Sequence, residues 1–296
     1  MNNHLTITAL QHALDSQDAT VSLQHIVQRI RHAAAAGAAL VVLQELHNSP
    51  YFCLSQQACH FDQAEPVPGH STQTLSALAA ELNIVIVASL FERRMAGVYH
   101  NTAVVLDTDR GLVGQYRKMH IPDDPGYHEK YYFTPGDIDP GFKPIQTSLG
   151  KLGVLVCWDQ WYPEAARLMA LAGAELLIYP TAIGWDLDDN QAEQQRQLDA
   201  WQTIQRAHAI ANGLPLVACN RIGLEQDAFT SQRQQFWGHS FICGPQGEIL
   251  AQAGVDEAIV SAELDLRHSE TVRRTWPFLR DRRVDAYADL TRRLID

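Results

Sequence analysis

Five times along the chain a nearly continuous apolar run of strand length appears: 39–43, 84–88, 152–157, 176–179 and 216–219. Apolar helical stripes precede several of these runs. Leu23, Ile26, Val27, Ile30, Ala33 and Ala34 recur at the spacing of one helix face and stop at Gly37, where a left-handed C-cap is cheap. Leu75, Leu78, Ala79 and Leu82 form a second stripe; the spacing also predicts helices over 165–171 and from about Gln191 to Asn212, ended by Gly213. A strand apolar at every position must be covered on both faces, and helices between such strands supply the cover. That alternation predicts an α/β chain and excludes separate all-helical and all-strand halves.

Two hairpins complete the pattern. One runs through Thr102–Leu106, a turn at Asp109-Arg110-Gly111, and Leu112–Tyr116; the other through Ser240–Cys243, a turn at Pro245-Gln246-Gly247, and Glu248–Ala251. Their polar approaches, His100-Asn101 and Gly238-His239, are alike, so the halves read as pseudo-symmetric copies. No Ser/Gly-rich linker divides the 296 residues, which predicts one domain with helices outside two packed sheets. We place that domain at 1–264. Residues 265–296, aromatic and Arg-rich around Trp276, Phe278 and Tyr287, read as a C-terminal extension packed on the domain or on a neighbouring subunit, hence a homo-oligomer.

A net charge of −11 argues against nucleic acid, which needs clustered cations, and weakly favours a cationic small molecule. No apolar run approaches the ~20 residues of a membrane span and the start lacks a signal-like pattern, so the expected location is the cytoplasm, without membrane association. The five cysteines are scattered and without a CxxC pair, and the 13 histidines lack HExxH spacing; neither a disulfide framework nor a metal site is expected.

The chemistry is expected where polar residues end apolar strands. Glu45 ends the first run, Lys118 follows the first hairpin, and Cys157 ends 152–156. Each alone has a bland reading: a solvated carboxylate, a surface lysine, a small core thiol. Cys157 gains from its continuation, Trp158-Asp159-Gln160-Trp161-Tyr162-Pro163, because Pro163 suits a first helical turn and puts the thiol on a strand-to-helix elbow. A thiol needs a base or a cation to become nucleophilic at neutral pH, and a carboxylate with an ammonium supplies both.

The segments Leu43-Gln44-Glu45, Arg117-Lys118-Met119-His120-Ile121-Pro122 and Cys157 to Glu164 resemble, in order and spacing, the Glu, Lys and Cys blocks of the nitrilase superfamily of carbon–nitrogen hydrolases. Tyr179 to Gly184, Asn220-Arg221-Ile222-Gly223 and Phe278 to Arg283 extend the resemblance toward members that act on N-carbamoyl amines. It implies a four-layer αββα sandwich, two mixed sheets face to face with helices outside, and homo-oligomers. The resemblance further implies Cys157 as nucleophile, Glu45 as general acid/base, Lys118 and the Trp158 backbone N–H as oxyanion donors, and Glu129 as the acid supporting Lys118. Neither cofactor nor metal is implied. After Gly184, where relatives often continue with Ser and Glu, this chain has Trp185-Asp186, so Asp186 takes the place of an acid that could hold a distal amine, with Tyr51 lining the same pocket. The implied substrate is a small cationic N-carbamoyl amine; an N-carbamoyl amino acid or an ω-amide, or a silent binding member of the superfamily, stays open at this point.

Overall fold

The computed structural model describes residues 4–14 and 16–295, so the extreme ends of the expected domain and extension lie outside the described residues. The first sheet gathers β1 (His4–Gln11), β2 (Leu40–Val42), β3 (Val85–Met95), β4 (Val98–Asp107), β5 (Gly111–Arg117) and, from far along the chain, β15 (Ala258–Asp265), in the order β15-β1-β2-β3-β4-β5. The second holds β6 (Ile145–Thr147), β7 (Gly150–Val154), β8 (Leu176–Pro180), β10 (Leu216–Cys219), β13 (Phe241–Cys243) and β14 (Ile249–Gln252), in the order β14-β13-β10-β8-β7-β6. In each, three central strands are parallel and the flanks antiparallel. A small third sheet joins β9 (Gly184–Trp185), β11 (Ile222–Gln226) and β12 (Arg233–Trp237).

The four layers follow from side-chain alternation. Leu40, Val42, Val85, Val87, Ala103 and Val105 face inward to the second sheet, in one core with Val154, Ile178 and Val217. Their neighbours Val41, Ile86, Ala88, Val104 and Leu106 face outward onto Leu23, Ile26 and Ile30 of α1 (Ala19–Ala35) and Leu75 and Leu78 of α2 (His70–Leu82). On the far side, α4 (Pro163–Leu171) and α5 (Gln191–Asn212) cover the second sheet through Ala166, Met169, Leu198 and Trp201. Strands with apolar residues at every position are thus explained by cover on both faces. The sandwich and its two mixed sheets agree with the fold expected from the sequence.

Local chemistry sets the ends. The Asp18 carboxylate caps α1 by accepting from Thr20 N–H at 2.8 Å, the Asn190 side chain caps α5 by accepting from Glu193 N–H at 3.1 Å, and Gly213 closes α5 at φ +56°. Both expected hairpins form, as β4–β5 and β13–β14. The order β1-α1-β2-α2-β3-β4-β5 repeats as β7-α4-β8-α5-β10-β13-β14, so the two halves share one topology. Three differences from the sequence reading stand out. β3 runs to Met95, β1 and β15 pair over their whole length, and the first run leaves the sheet at Leu43, so Glu45 lies in a turn beyond the strand. After β15 come α6 (His268–Thr275) and a segment that passes over α4 and α5, where Tyr287 and Leu290 line a cavity with Pro163, Arg167 and His208.

Candidate active site

Glu45, Lys118 and Glu129 converge between the ends of the two sheets. Lys118 leaves β5 with its N–H donating to Asn101 O at 2.9 Å, and its side chain has no solvent exposure. Its ammonium donates to Glu45 Oε1 at 2.9 Å and Glu129 Oε2 at 2.6 Å. Glu129 begins the short helix α3 (Glu129–Tyr132) and is fully buried. Burial works against the Lys118 charge, yet Glu129 and Glu45 outweigh it and hold its pKa well above the ordinary lysine value. Burial raises the Glu129 carboxyl to about 7; Lys118 opposes this shift and the Glu45 charge adds to it. Asn101 Nδ2 donates to Glu45 Oε1 at 2.6 Å, while Glu45 Oε2 is buried without a hydrogen-bond partner among the described residues.

Cys157 stands on the expected elbow between β7 and α4, opening a single helical turn at Cys157–Trp161. Its φ of +43° is in the left-handed region, uncommon for a side-chain-bearing residue and characteristic of functional turns. Asp159 fixes that turn by accepting from Val156 N–H at 2.9 Å, Tyr116 Oη at 2.9 Å, and His120 N–H and Nδ1 at 3.1 and 2.7 Å. One carboxylate therefore ties the cysteine turn to the Lys118 segment. Burial pushes the thiol well up, Glu45 adds to the shift and Lys118 opposes it, so the resting sulfur is protonated at neutral pH.

Cys157 and Trp158 open onto a cavity of about 400 Å³ whose walls include Pro122, Tyr127, Trp161 and Trp237. Its charged lining is Asp124, Asp186 and Asp189; among the described residues no lysine, arginine or histidine contributes. Asp186 therefore reaches the expected cavity. Tyr51 does not line it. The phenol lies behind Glu129, 1% exposed, and donates to Glu129 Oε1 at 2.8 Å, because the chain between the Glu45 turn and Phe52 dives into an aromatic cluster instead of following the cavity wall.

Three further residues contribute to the site. Arg221, fully buried, donates to the carbonyls of Glu45 at 3.0 Å, Leu46 at 2.8 Å and Ser49 at 3.1 Å, and pairs with Glu225 at 2.6 Å. Asn220 pins Ile183 through both backbone groups at 3.0 Å, and Asp124 adds a carboxylate to the cavity. The Asn220-Arg221-Ile222-Gly223 block was the only available signal for the first two.

The model of the carbon–nitrogen hydrolase family matches residues 6–274. The chain belongs to that family. It is 44% identical to N-carbamoylputrescine amidase of Solanum lycopersicum over 290 residues, 97% of this chain and 94% of that protein. A citrullinase of Francisella tularensis is 39% identical over 295 residues, 98% of this chain and 99% of that protein. Among solved structures, a carbon–nitrogen hydrolase from Helicobacter pylori G27 superposes with a TM-score of 0.94 at 52% identity, covering 99% of this chain and 100% of that one. Membership makes this chain a hydrolase of carbon–nitrogen bonds. Among the described residues no helix is long and apolar enough to cross a membrane.

Proposed function

We propose that this carbon–nitrogen hydrolase cleaves N-carbamoylputrescine to putrescine, CO₂ and ammonia. The observation that carries the reading is a cysteine beside a buried Glu–Lys–Glu cluster, opening on a cavity whose charged lining is entirely carboxylate. A distal ammonium suits that lining, and the tetramethylene chain suits its aromatic walls. The likeness to plant N-carbamoylputrescine amidases supports the same choice.

In the proposed mechanism Glu45, whose Oε2 has no hydrogen-bond partner among the described residues, takes the Cys157 proton as the sulfur attacks the ureido carbon. The oxygen of the tetrahedral intermediate is held by Lys118 and the Trp158 N–H. Positioned donors of this type are worth ~10²–10³ in rate each, and Glu129 keeps the ammonium in place. The bond to the terminal NH₂ breaks, and Glu45 returns the proton so that ammonia leaves. A water, deprotonated by Glu45, then attacks the thiocarbamate carbonyl; sulfur departs and is reprotonated, and the carbamate released decomposes to CO₂ and the free amine.

Citrulline is the second reading, favoured by the 39% identity to citrullinase. It also carries a ureido group and an ammonium, but its carboxylate would find no cation in the cavity lining. The test is ammonia release from N-carbamoylputrescine, citrulline, N-carbamoyl-β-alanine and ω-amides, with Cys157→Ala as blank. Preference for N-carbamoylputrescine is expected; preference for an anionic ureido acid would overturn the reading. Glu45→Gln should lower kcat by ~10²–10⁴, the usual worth of a positioned acid/base.

A further inference from the structure

We propose that Asp124, on the loop between Lys118 and Glu129, is the residue that binds the distal ammonium of the substrate. The proposal rests on the reading of the cavity as one that takes a cationic ureido compound. Three carboxylates line that cavity, and they differ in what already holds them. Asp186 is solvent-exposed and its Oδ1 accepts from Asp188 N–H at 2.9 Å. Asp189 accepts at Oδ2 from Gln197 Nε2 at 2.6 Å. Asp124 is half-buried, and its Oδ1 is withdrawn from water with no hydrogen-bond partner among the described residues.

That difference decides which carboxylate gains most from an arriving cation. A well-hydrated or already bonded carboxylate must give up water or a donor to receive an ammonium, whereas one whose desolvation is already incurred gives up little. The Asp124 carboxyl is raised above the ordinary aspartate value: burial drives the rise, a hydrogen bond from its own backbone N–H opposes it, and the Asp123 charge adds to it. The loop itself is held in place, since Tyr127 N–H donates to Asp124 O at 2.9 Å and Tyr127 Oη accepts from Gly184 N–H at 3.1 Å. This second bond ties the Asp124 loop to the strand that leads into Asp186, so the two loops face one cavity as a fixed pair. Tyr127, Trp161 and Trp237 line the same space.

The test compares N-carbamoylputrescine with N-pentylurea, which has a methyl group in place of the ammonium, on wild-type enzyme, Asp124→Asn and Asp186→Asn. The quantity read is the ratio of kcat/KM for the cationic substrate to that for the neutral one. The expected result is a fall in this ratio of about 10- to 100-fold in Asp124→Asn, carried by KM, and a smaller fall in Asp186→Asn. A ratio unchanged in Asp124→Asn, or a larger fall in Asp186→Asn, overturns the assignment while leaving the substrate reading intact. A wild-type enzyme that does not prefer the cationic compound overturns both. Asp124→Ser, read in the same way, covers the event that the asparagine variant does not fold.

Discussion

Lys118 sits between two carboxylates, all three side chains fully buried, so the protonation of Glu129 depends on the charges packed around it. With the Glu129 carboxyl raised to about 7, kcat/KM is expected to fall as pH drops through that region. Two substitutions should change this acid limb in different ways. Glu129→Gln removes the titrating carboxyl itself, so the limb near pH 7 is lost, with kcat reduced because Lys118 loses its 2.6 Å anchor. Tyr51→Phe removes the phenol that donates to ionised Glu129 at 2.8 Å, a bond that favours the charged form, so the limb shifts to higher pH. Profiles of kcat/KM from pH 5 to 9 decide the matter; limbs that coincide with wild type in both variants would remove Glu129 from the titrating group.

At the scale of elements, the site is assembled by turns that follow strands, and those turns are tied to one another. Arg221 gathers the carbonyls of the Glu45–Ser49 turn, in which Leu46 has φ +48°, and Glu225 links Arg221 to Tyr51 N–H at 2.7 Å. Arg221→Lys keeps the charge but replaces a planar fork with a single ammonium that cannot reach all these acceptors. A buried carbonyl left unpaired costs about 1–3 kcal/mol. The expected outcome is a lower Tm and kcat reduced at least 10-fold with KM little changed, since the arginine orients Glu45 and does not line the cavity. A KM effect without a kcat effect would contradict this positioning role. The same distinction explains what was legible beforehand. Strands covered on both faces announce themselves as apolar runs, which is why β2, β7, β8 and β10 were readable, and with them the elbow under Cys157. β1 and β15 were not, because β15 is half-exposed and polar at alternate positions and their pairing joins segments some 250 residues apart. Chain proximity to Glu45 or Lys118 says nothing about which way a turn carries a side chain, so neither the burial of Tyr51 behind Glu129 nor the place of Asp124 in the cavity is readable from the sequence.

For the whole molecule, the unresolved balance is on the surface over α4 and α5. Leu168 and Leu171 of α4 are about half exposed, at 45% and 50%, and Leu290 and Leu294 of the terminal segment are 66% and 76% exposed. Trp276 and Phe278 add aromatic area nearby in the chain. Apolar exposure gathered on the last 30 residues and one helix is a surface that a partner can cover, and aromatic and Arg-rich segments are common at the centre of subunit interfaces. The occupant we expect is a second copy of the chain. Sedimentation equilibrium at micromolar protein should then give a mass at least twice 33.1 kDa. Leu290→Asp combined with Leu294→Asp should shift the distribution toward 33.1 kDa, at little cost to the isolated fold because both side chains make few contacts there. A wild-type mass of one chain would refute the assembly, and an assembled double variant would move the interface away from the terminal segment. The active-site cavity draws Pro122 to Tyr127 from one half of the pseudo-symmetric sandwich and Cys157 to Trp161 from the other, all within one chain, so dissociation is expected to lower Tm before it lowers kcat.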